Sequence, residues 1–257
     1  MLYYPSRDKF HSPEKLKLTF EDVYLKVENE TIHGQYFPVK KPKALVLFFH
    51  GNAQNLSAHF LTLSWLPELN ISYFIFDYEG FGQSSGNPSP QKTVNDGMVA
   101  IDWVQKKAKK LNIPLVVYAQ SLGGAIALRS LSDLEKIDCL KLIVIDSSFL
   151  SYQKVARDIF SRAILTWPFQ WLPYLVLSDK FAPIGHIQKL KNYPLVVIHG
   201  KKDKIVPYKQ GIHIYETFPG KKDLWLIEDG QHTDAFWTHG NIYGKKFFER
   251  VTSYKKC

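Results

Sequence analysis

Apolar residues along this chain come in two rhythms: short unbroken runs, and longer stretches spaced by three or four. Ala44–Phe49 (ALVLFF), Tyr73–Phe76, Pro114–Tyr118, Leu142–Ile145 and Pro194–Gly200 (PLVVIHG) are runs without a polar face. Such runs predict strands buried on both sides, as in a parallel sheet covered by helices. Asp223–Ile227 (DLWLI) predicts a further strand, and Leu18–Val27 with Ile32–Phe37 an N-terminal hairpin. Between them lie helical patterns. Ser89 and Pro90 supply an N-cap and a first-turn proline. Val94, Met98, Ile101, Val104, Ala108 and Leu111 then recur on one face, and Lys106, Lys107, Lys109 and Lys110 close the helix where cations suit its dipole. Asn241–Tyr254 predicts the closing helix. Strands alternating with helices after a hairpin predict an α/β fold: a mostly parallel, twisted sheet with helices on both faces.

One segment breaks the alternation. Phe149–Pro183 lies between two core strands and is dense in aromatics and prolines. We read residues 1–257 as one domain and residues 149–183 as a short helical cap insertion. Trp167, Phe169, Trp171 and Tyr174 are its candidate pocket residues. They suit contact with an apolar acyl chain, or packing of the insertion onto the domain, and the sequence leaves both open. Asp179 and His186 read as surface residues.

The chemistry concentrates after the run Pro114–Tyr118. Ala119-Gln120-Ser121-Leu122-Gly123-Gly124 is a strand end, a serine with small residues two positions before and after it, and a helix start. That pattern predicts a nucleophile elbow, in which a strained turn exposes the serine hydroxyl. The backbone N–H of Leu122 is then a candidate oxyanion donor. A serine needs a base to take its proton, and the base needs an orienting acid. His232, in Gly230-Gln231-His232-Thr233-Asp234, follows one predicted strand, and Asp203, in Gly200-Lys201-Lys202-Asp203, follows another. Ser121, Asp203 and His232 are therefore the candidate catalytic residues, with Asp146, at the end of an earlier strand, as the competing acid. Asp229 and Asp234 flank the histidine too closely to orient it toward Ser121. Alone, each residue has a plainer role, as a turn aspartate, a loop histidine or a capping serine.

A second oxyanion donor is expected after another strand. Ala44–Phe49 ends in His50-Gly51-Asn52-Ala53-Gln54-Asn55. Gly51 permits close backbone approach, the N–H of Asn52 is the candidate donor, and His50 is expected to brace the loop.

The segments His50–Asn55, Asp77–Gly86 (DYEGFGQSSG), Ala119–Gly124, Asp203 and Gly230–Asp234 together resemble the α/β-hydrolase superfamily. Within it, the chain is similar to the branch of α/β-hydrolase-domain proteins, protein depalmitoylases among them, and serine-aminopeptidase-like lipases and esterases. The resemblance implies an α/β-hydrolase fold and a serine hydrolase cleaving acyl esters or thioesters, lipid-like or small, through an acyl-enzyme. An amidase or aminopeptidase with the same triad, and a catalytically idle membrane-associated binding protein, are the alternatives. The chain departs from its relatives at Ala119 and at Glu79, which would add a negative charge if it faced the pocket rim. A serine at the elbow excludes carboxylate-nucleophile dehalogenases and cysteine-dependent dienelactone hydrolases in their usual form.

Charge and cysteine content modify this picture slightly. Lys+Arg number 33 against 24 Asp+Glu, a formal charge of +9. That field favours anionic surfaces, an acidic membrane being the partner expected if the lysines are more than a solvated face. No nucleic-acid motif is seen and no nucleic-acid partner is expected. No CxxC or HExxH spacing points to a metal, and no cofactor is expected. The two cysteines, Cys139 and Cys257, suggest no disulfide and suit a reducing compartment. No apolar run reaches transmembrane length and no signal peptide is visible, so cytoplasmic is the default expectation, and a monomer is expected. Met1-Leu2-Tyr3-Tyr4-Pro5-Ser6 resembles the stretch that follows a membrane anchor in relatives, so membrane association through a segment outside this sequence is the alternative.

Overall fold

The structure, a computed structural model, describes residues 3–162 and 165–257. Met1 and Leu2 of the anchor-like stretch, and Ala163 and Ile164 of the insertion, lie outside the described residues. In chain order the strands are Tyr4–Pro5 (β1), Glu21–Val27 (β2), Glu30–Phe37 (β3), Ala44–Phe49 (β4), Ala53–Gln54 (β5), Ile71–Phe76 (β6), Leu115–Gln120 (β7), Leu140–Asp146 (β8), Leu195–Gly200 (β9) and Lys222–Ile227 (β10). The α-helices are Leu56–His59 (α1), Pro90–Leu111 (α2), Leu122–Asp133 (α3), Tyr152–Phe160 (α4), Pro173–Val176 (α5), Tyr208–Thr217 (α6) and Lys245–Thr252 (α7).

Eight strands form one sheet in the order β10-β9-β8-β7-β4-β6-β3-β2. The hairpin β2–β3 and the pair β3–β6 are antiparallel, and the other pairs are parallel. The unbroken apolar runs explain the layering. On β4, Leu45, Leu47 and Phe49 point into one core, with Ile126 and Ile101 of the helices. Ala44, Val46 and Phe48 point into the other, with Leu63 and Phe247. Alternate residues of a strand face opposite sides, so a central strand covered twice must be apolar throughout.

The element boundaries differ from the pattern where tertiary packing intervenes. The hairpin begins at Glu21, and Leu18 and Phe20 before it pack against the core that holds Val46 and Phe48. On α2 the buried face is Val94, Ala100, Ile101, Val104 and Ala108 with Thr93, Asp96 and Gly97. Met98 is half-buried and Leu111 is exposed at the helix end. The predicted closing helix divides into a π-helical turn, Gly240–Gly244, and α7.

The cysteine expectation is overturned. Cys139 and Cys257 form a disulfide across a separation of 118 residues, with Cα atoms 4.6 Å apart. Cys139 precedes β8 while the chain end returns past α7, a proximity created by the fold and invisible to local spacing. The bond also removes the argument for a reducing compartment, since disulfides persist where conditions are oxidising.

Candidate active site

Ser121 sits between β7 and α3 with φ 52° and ψ −125°. A non-glycine residue in that region is strained, and its surroundings must hold it. Its N–H donates to the Asp146 carbonyl at 2.9 Å, and its own carbonyl accepts from Ser148 Oγ at 2.6 Å and from the Gly124 N–H at 3.0 Å. The small residues are sterically required. A Cβ on Gly123 would come within 2.3 Å of the His50 carbonyl oxygen. Leu122 opens α3, so its N–H is one of the first-turn donors without a helical partner.

Asp203 and His232 are brought together. His232 Nδ1 lies 2.7 Å from Asp203 Oδ2, and the His232 side chain keeps 17% exposure while Asp203 is buried. The other oxygen, Oδ1, accepts the N–H groups of Ile205 and Val206 at 2.8 and 2.9 Å. His199 Nε2, which donates to the Val206 carbonyl at 3.0 Å, is 3.3 Å from Oδ2. Burial opposes charge on Asp203, but the hydrogen bonds from His199 and His232 and their charges outweigh it, holding the carboxyl well below the usual range. His199 has no signal in the sequence beyond ending a strand.

The histidine loop is docked by backbone contacts. Lys202 N–H donates to the Gly230 carbonyl at 2.9 Å. A Cβ on Gly200 would come within 2.4 Å of Gly230 and of the Gln231 carbonyl, so only glycine lets the two loops touch. Thr233, at φ 54°, donates its N–H to Ser147 Oγ at 3.1 Å. Gln120, the neighbour of Ser121, reaches the Thr233 carbonyl at 3.5 Å. The histidine loop thereby lies beside the elbow at the C-terminal ends of β7 and β8.

Asp146 takes no part in this pair. It is buried and accepts from Tyr118 Oη at 2.9 Å, Ser147 Oγ at 3.0 Å and Gln120 Nε2 at 3.4 Å. Burial raises its pKa. Asp234 accepts from the Gln231 N–H at 2.9 Å, closing its own loop. Glu79 is buried and ion-paired to Lys92 at 2.6 Å, which removes it from the pocket rim.

The loop after β4 approaches the elbow from the other side, where a Cβ on Gly51 would sit 3.6 Å from Ser121 Cβ. His50 Nδ1 donates to the Gly51 carbonyl at 2.8 Å, and its Nε2 lies 3.2 Å from Asp77 Oδ1.

The insertion carries α4, a 3₁₀ turn at Trp167–Phe169, and α5. Ser151 caps α4, with Asp179 accepting the Tyr152 N–H at 2.7 Å, so Asp179 is structural rather than a free surface charge. Arg162 donates to the Lys204 carbonyl at 3.1 Å, tying the insertion to the loop that carries Asp203, and Gln210 of α6 donates to Asp158 at 2.6 Å. Trp167, Phe169, Trp171 and Tyr174 are 48% to 58% exposed, so packing onto the domain does not account for them.

A strained serine at the strand–helix junction of a mostly parallel sheet, with a His–Asp pair beside it, defines an α/β-hydrolase fold. The chain belongs to the Hydrolase_4 family, described as serine aminopeptidase, S33, whose model matches residues 40–184. It is 32% identical over 257 residues to the protein YfhR of Escherichia coli (strain K12), covering 98% of this chain and 86% of that one. It is 27% identical over 219 residues to the lysophosphatidylserine lipase ABHD12 of Macaca fascicularis, covering 81% of this chain and 54% of that protein. The Pyrococcus furiosus esterase Pf2001 has the same fold, with TM-score 0.78 and 19% identity over 99% of each chain. Among the described residues no helix is long and apolar enough to cross a membrane.

Proposed function

We propose that this protein is a serine hydrolase that cleaves acyl esters or thioesters through an acyl-enzyme. The observation that carries the reading is the His232–Asp203 hydrogen bond beside a serine held at φ 52°. Ser121 Oγ attacks the acyl carbonyl carbon while His232 Nε2 takes its proton. Asp203 holds the Nδ1–H tautomer and stabilises the imidazolium. The N–H groups of Leu122 and Asn52 hold the oxyanion. Collapse expels the alcohol or thiol, which leaves with the proton from His232. Water then gives a proton to His232 and attacks the acyl carbon, and collapse releases the acid as His232 returns the proton to Ser121 Oγ. One oxyanion donor typically lowers the barrier by about 3–4 kcal/mol.

Ester chemistry is preferred over amide chemistry because similar proteins carry lipase and esterase names. Glu79, buried and paired to Lys92, adds no negative charge to the pocket rim. The substrate is lipid-like and is drawn from an anionic membrane surface. Leu165, Leu175 and Val176, 66% to 87% exposed, add to the aromatic face of the insertion. Arg157, Arg162 and Lys180 within the insertion, and Lys204, whose carbonyl accepts from Arg162, are exposed and supply positive charge.

The test is a fluorophosphonate probe with a p-nitrophenyl ester series of rising acyl length, beside an acyl thioester and an aminoacyl anilide. Probe labelling at Ser121, and loss of labelling and ester turnover in Ser121→Ala, are expected. Labelling at another serine, or undiminished turnover in the variant, refutes the mechanism.

A further inference from the structure

The loop after β4 is held by two sets of contacts, one from a pair of imidazoles and one from the N-terminal strand. The two imidazoles, His50 and His59, stack with ring centroids 4.9 Å apart and planes 20° from parallel. His50 Nδ1 donates to the Gly51 carbonyl at 2.8 Å, and His59 Nε2 to the Ala53 carbonyl at 2.8 Å. In addition, β1 runs parallel along β5, with Tyr4 opposite Ala53 and Pro5 opposite Gln54. The Tyr4 N–H donates to the side-chain oxygen of Asn52 at 3.2 Å, and the Ser6 N–H to the Gln54 carbonyl at 3.1 Å. Asn55 Nδ2 returns the contact, donating to the carbonyls of Ser6 and Asp8 at 2.9 and 2.8 Å.

These bonds determine which way one peptide faces. The Gly51 carbonyl and the Asn52 N–H belong to the same peptide plane and point in opposite directions across it. Anchoring the Gly51 oxygen on His50 turns the Asn52 N–H to the far side. Anchoring the Ala53 oxygen on His59, and the Asn52 side chain on Tyr4, keeps the following residues from rotating the plane back. Gly51 has no side chain to resist that rotation, so the restraint must come from its neighbours. Oxyanion donors contribute because they are oriented before charge develops.

We propose that His59 and the N-terminal strand β1 are positioning elements of the hydrolytic site, holding the Gly51–Ala53 loop so that the Asn52 N–H faces the oxyanion. This rests on the reading of Ser121 as the nucleophile. His59 does no proton transfer of its own. Burial, with the adjacent His50, pushes its imidazole down to about 3, so the ring stays neutral and keeps one fixed donor.

The test compares His59→Phe, which keeps an aromatic ring on His50 but cannot donate, with His59→Gln, which restores an N–H donor. A second pair, Asn52→Ala and Asn52→Asp, removes and keeps the acceptor for Tyr4. For each, kcat and KM for a p-nitrophenyl ester and the affinity for an alkyl boronic acid are measured beside the melting temperature. In His59→Phe, kcat is expected to fall about 10- to 100-fold with KM within twofold, part of what losing a whole donor costs. Boronate affinity falls by a similar factor, and His59→Gln recovers most of both. The Asn52 pair behaves in the same order. A lower melting temperature with kcat and boronate affinity unchanged overturns the proposal, since a merely structural brace predicts that result. If His59→Phe does not fold, the Asn52 pair decides by the same criteria. A wild-type protein that neither turns over esters nor reacts with fluorophosphonate defeats the hydrolase reading and this inference with it. An active wild type with indifferent variants defeats this inference alone.

Discussion

Asp203→Asn is the sharpest perturbation of the candidate site, because every donor around the carboxylate is known. Oδ1 accepts two backbone N–H groups, and Oδ2 accepts from His232 and faces His199. An asparagine can satisfy only one of these sides. With its carbonyl kept on Ile205 and Val206, its NH₂ faces His232 Nδ1 and selects the tautomer with the proton on Nε2. That tautomer cannot accept the Ser121 proton. The loss expected is about 10⁴-fold in kcat, roughly 5 kcal/mol of barrier, with little change in KM. Stability should respond with a defined sign. The Asp203 pKa is lower folded than unfolded, so its charge stabilises the native state above the unfolded value of about 3.9. That contribution fades as pH falls below this value toward the depressed folded pKa. The gap in unfolding free energy between wild type and Asp203→Asn should therefore be fully present at neutral pH and narrow below about pH 4. Steady-state ester hydrolysis and denaturant unfolding across pH measure both effects. Activity within tenfold of wild type in Asp203→Asn, with a loss of several orders in Asp146→Asn, refutes the assignment.

Cys257→Ser, or reduction of the disulfide, should lower the melting temperature by about 5–15 °C, given the entropy of a loop spanning 118 residues, and leave kcat at 25 °C unchanged. Calorimetry and ester turnover check this, and an unaltered melting temperature counts against the cross-link. Binding to vesicles containing phosphatidylserine is expected at low salt, weakening as salt rises. Trp167→Ser and Trp171→Ser should each weaken it roughly tenfold. Equal binding of the double variant in a sedimentation assay rules out the insertion as the docking face.

What the sequence determined by itself is what short-range pattern can carry. Ala44–Phe49 and Leu195–Ile198 are apolar at every position, and only burial on both faces permits that, so the sheet was legible. Ala119–Gly124 was legible as an elbow because the tight turn needs small residues two positions either side of the serine, and Asp203 and His232 were legible from their places after predicted strands. What the tertiary structure decided are pairings between distant residues, each ambiguous alone. His232 could orient on Asp146 or Asp203 by sequence, and the contact of the Gly200 and Gly230 loops brings it to Asp203. His59 carries no sequence signal and gains its place only by stacking on His50, and Tyr4, in the anchor-like stretch, gains its place by pairing with Ala53. Cys139 and Cys257 become partners only when the chain end returns to the start of β8. Periodicity records which side of an element is dry, because that depends on a residue and its near neighbours. Which donor meets which acceptor depends on how the packed layers close, and that is a property of the whole fold.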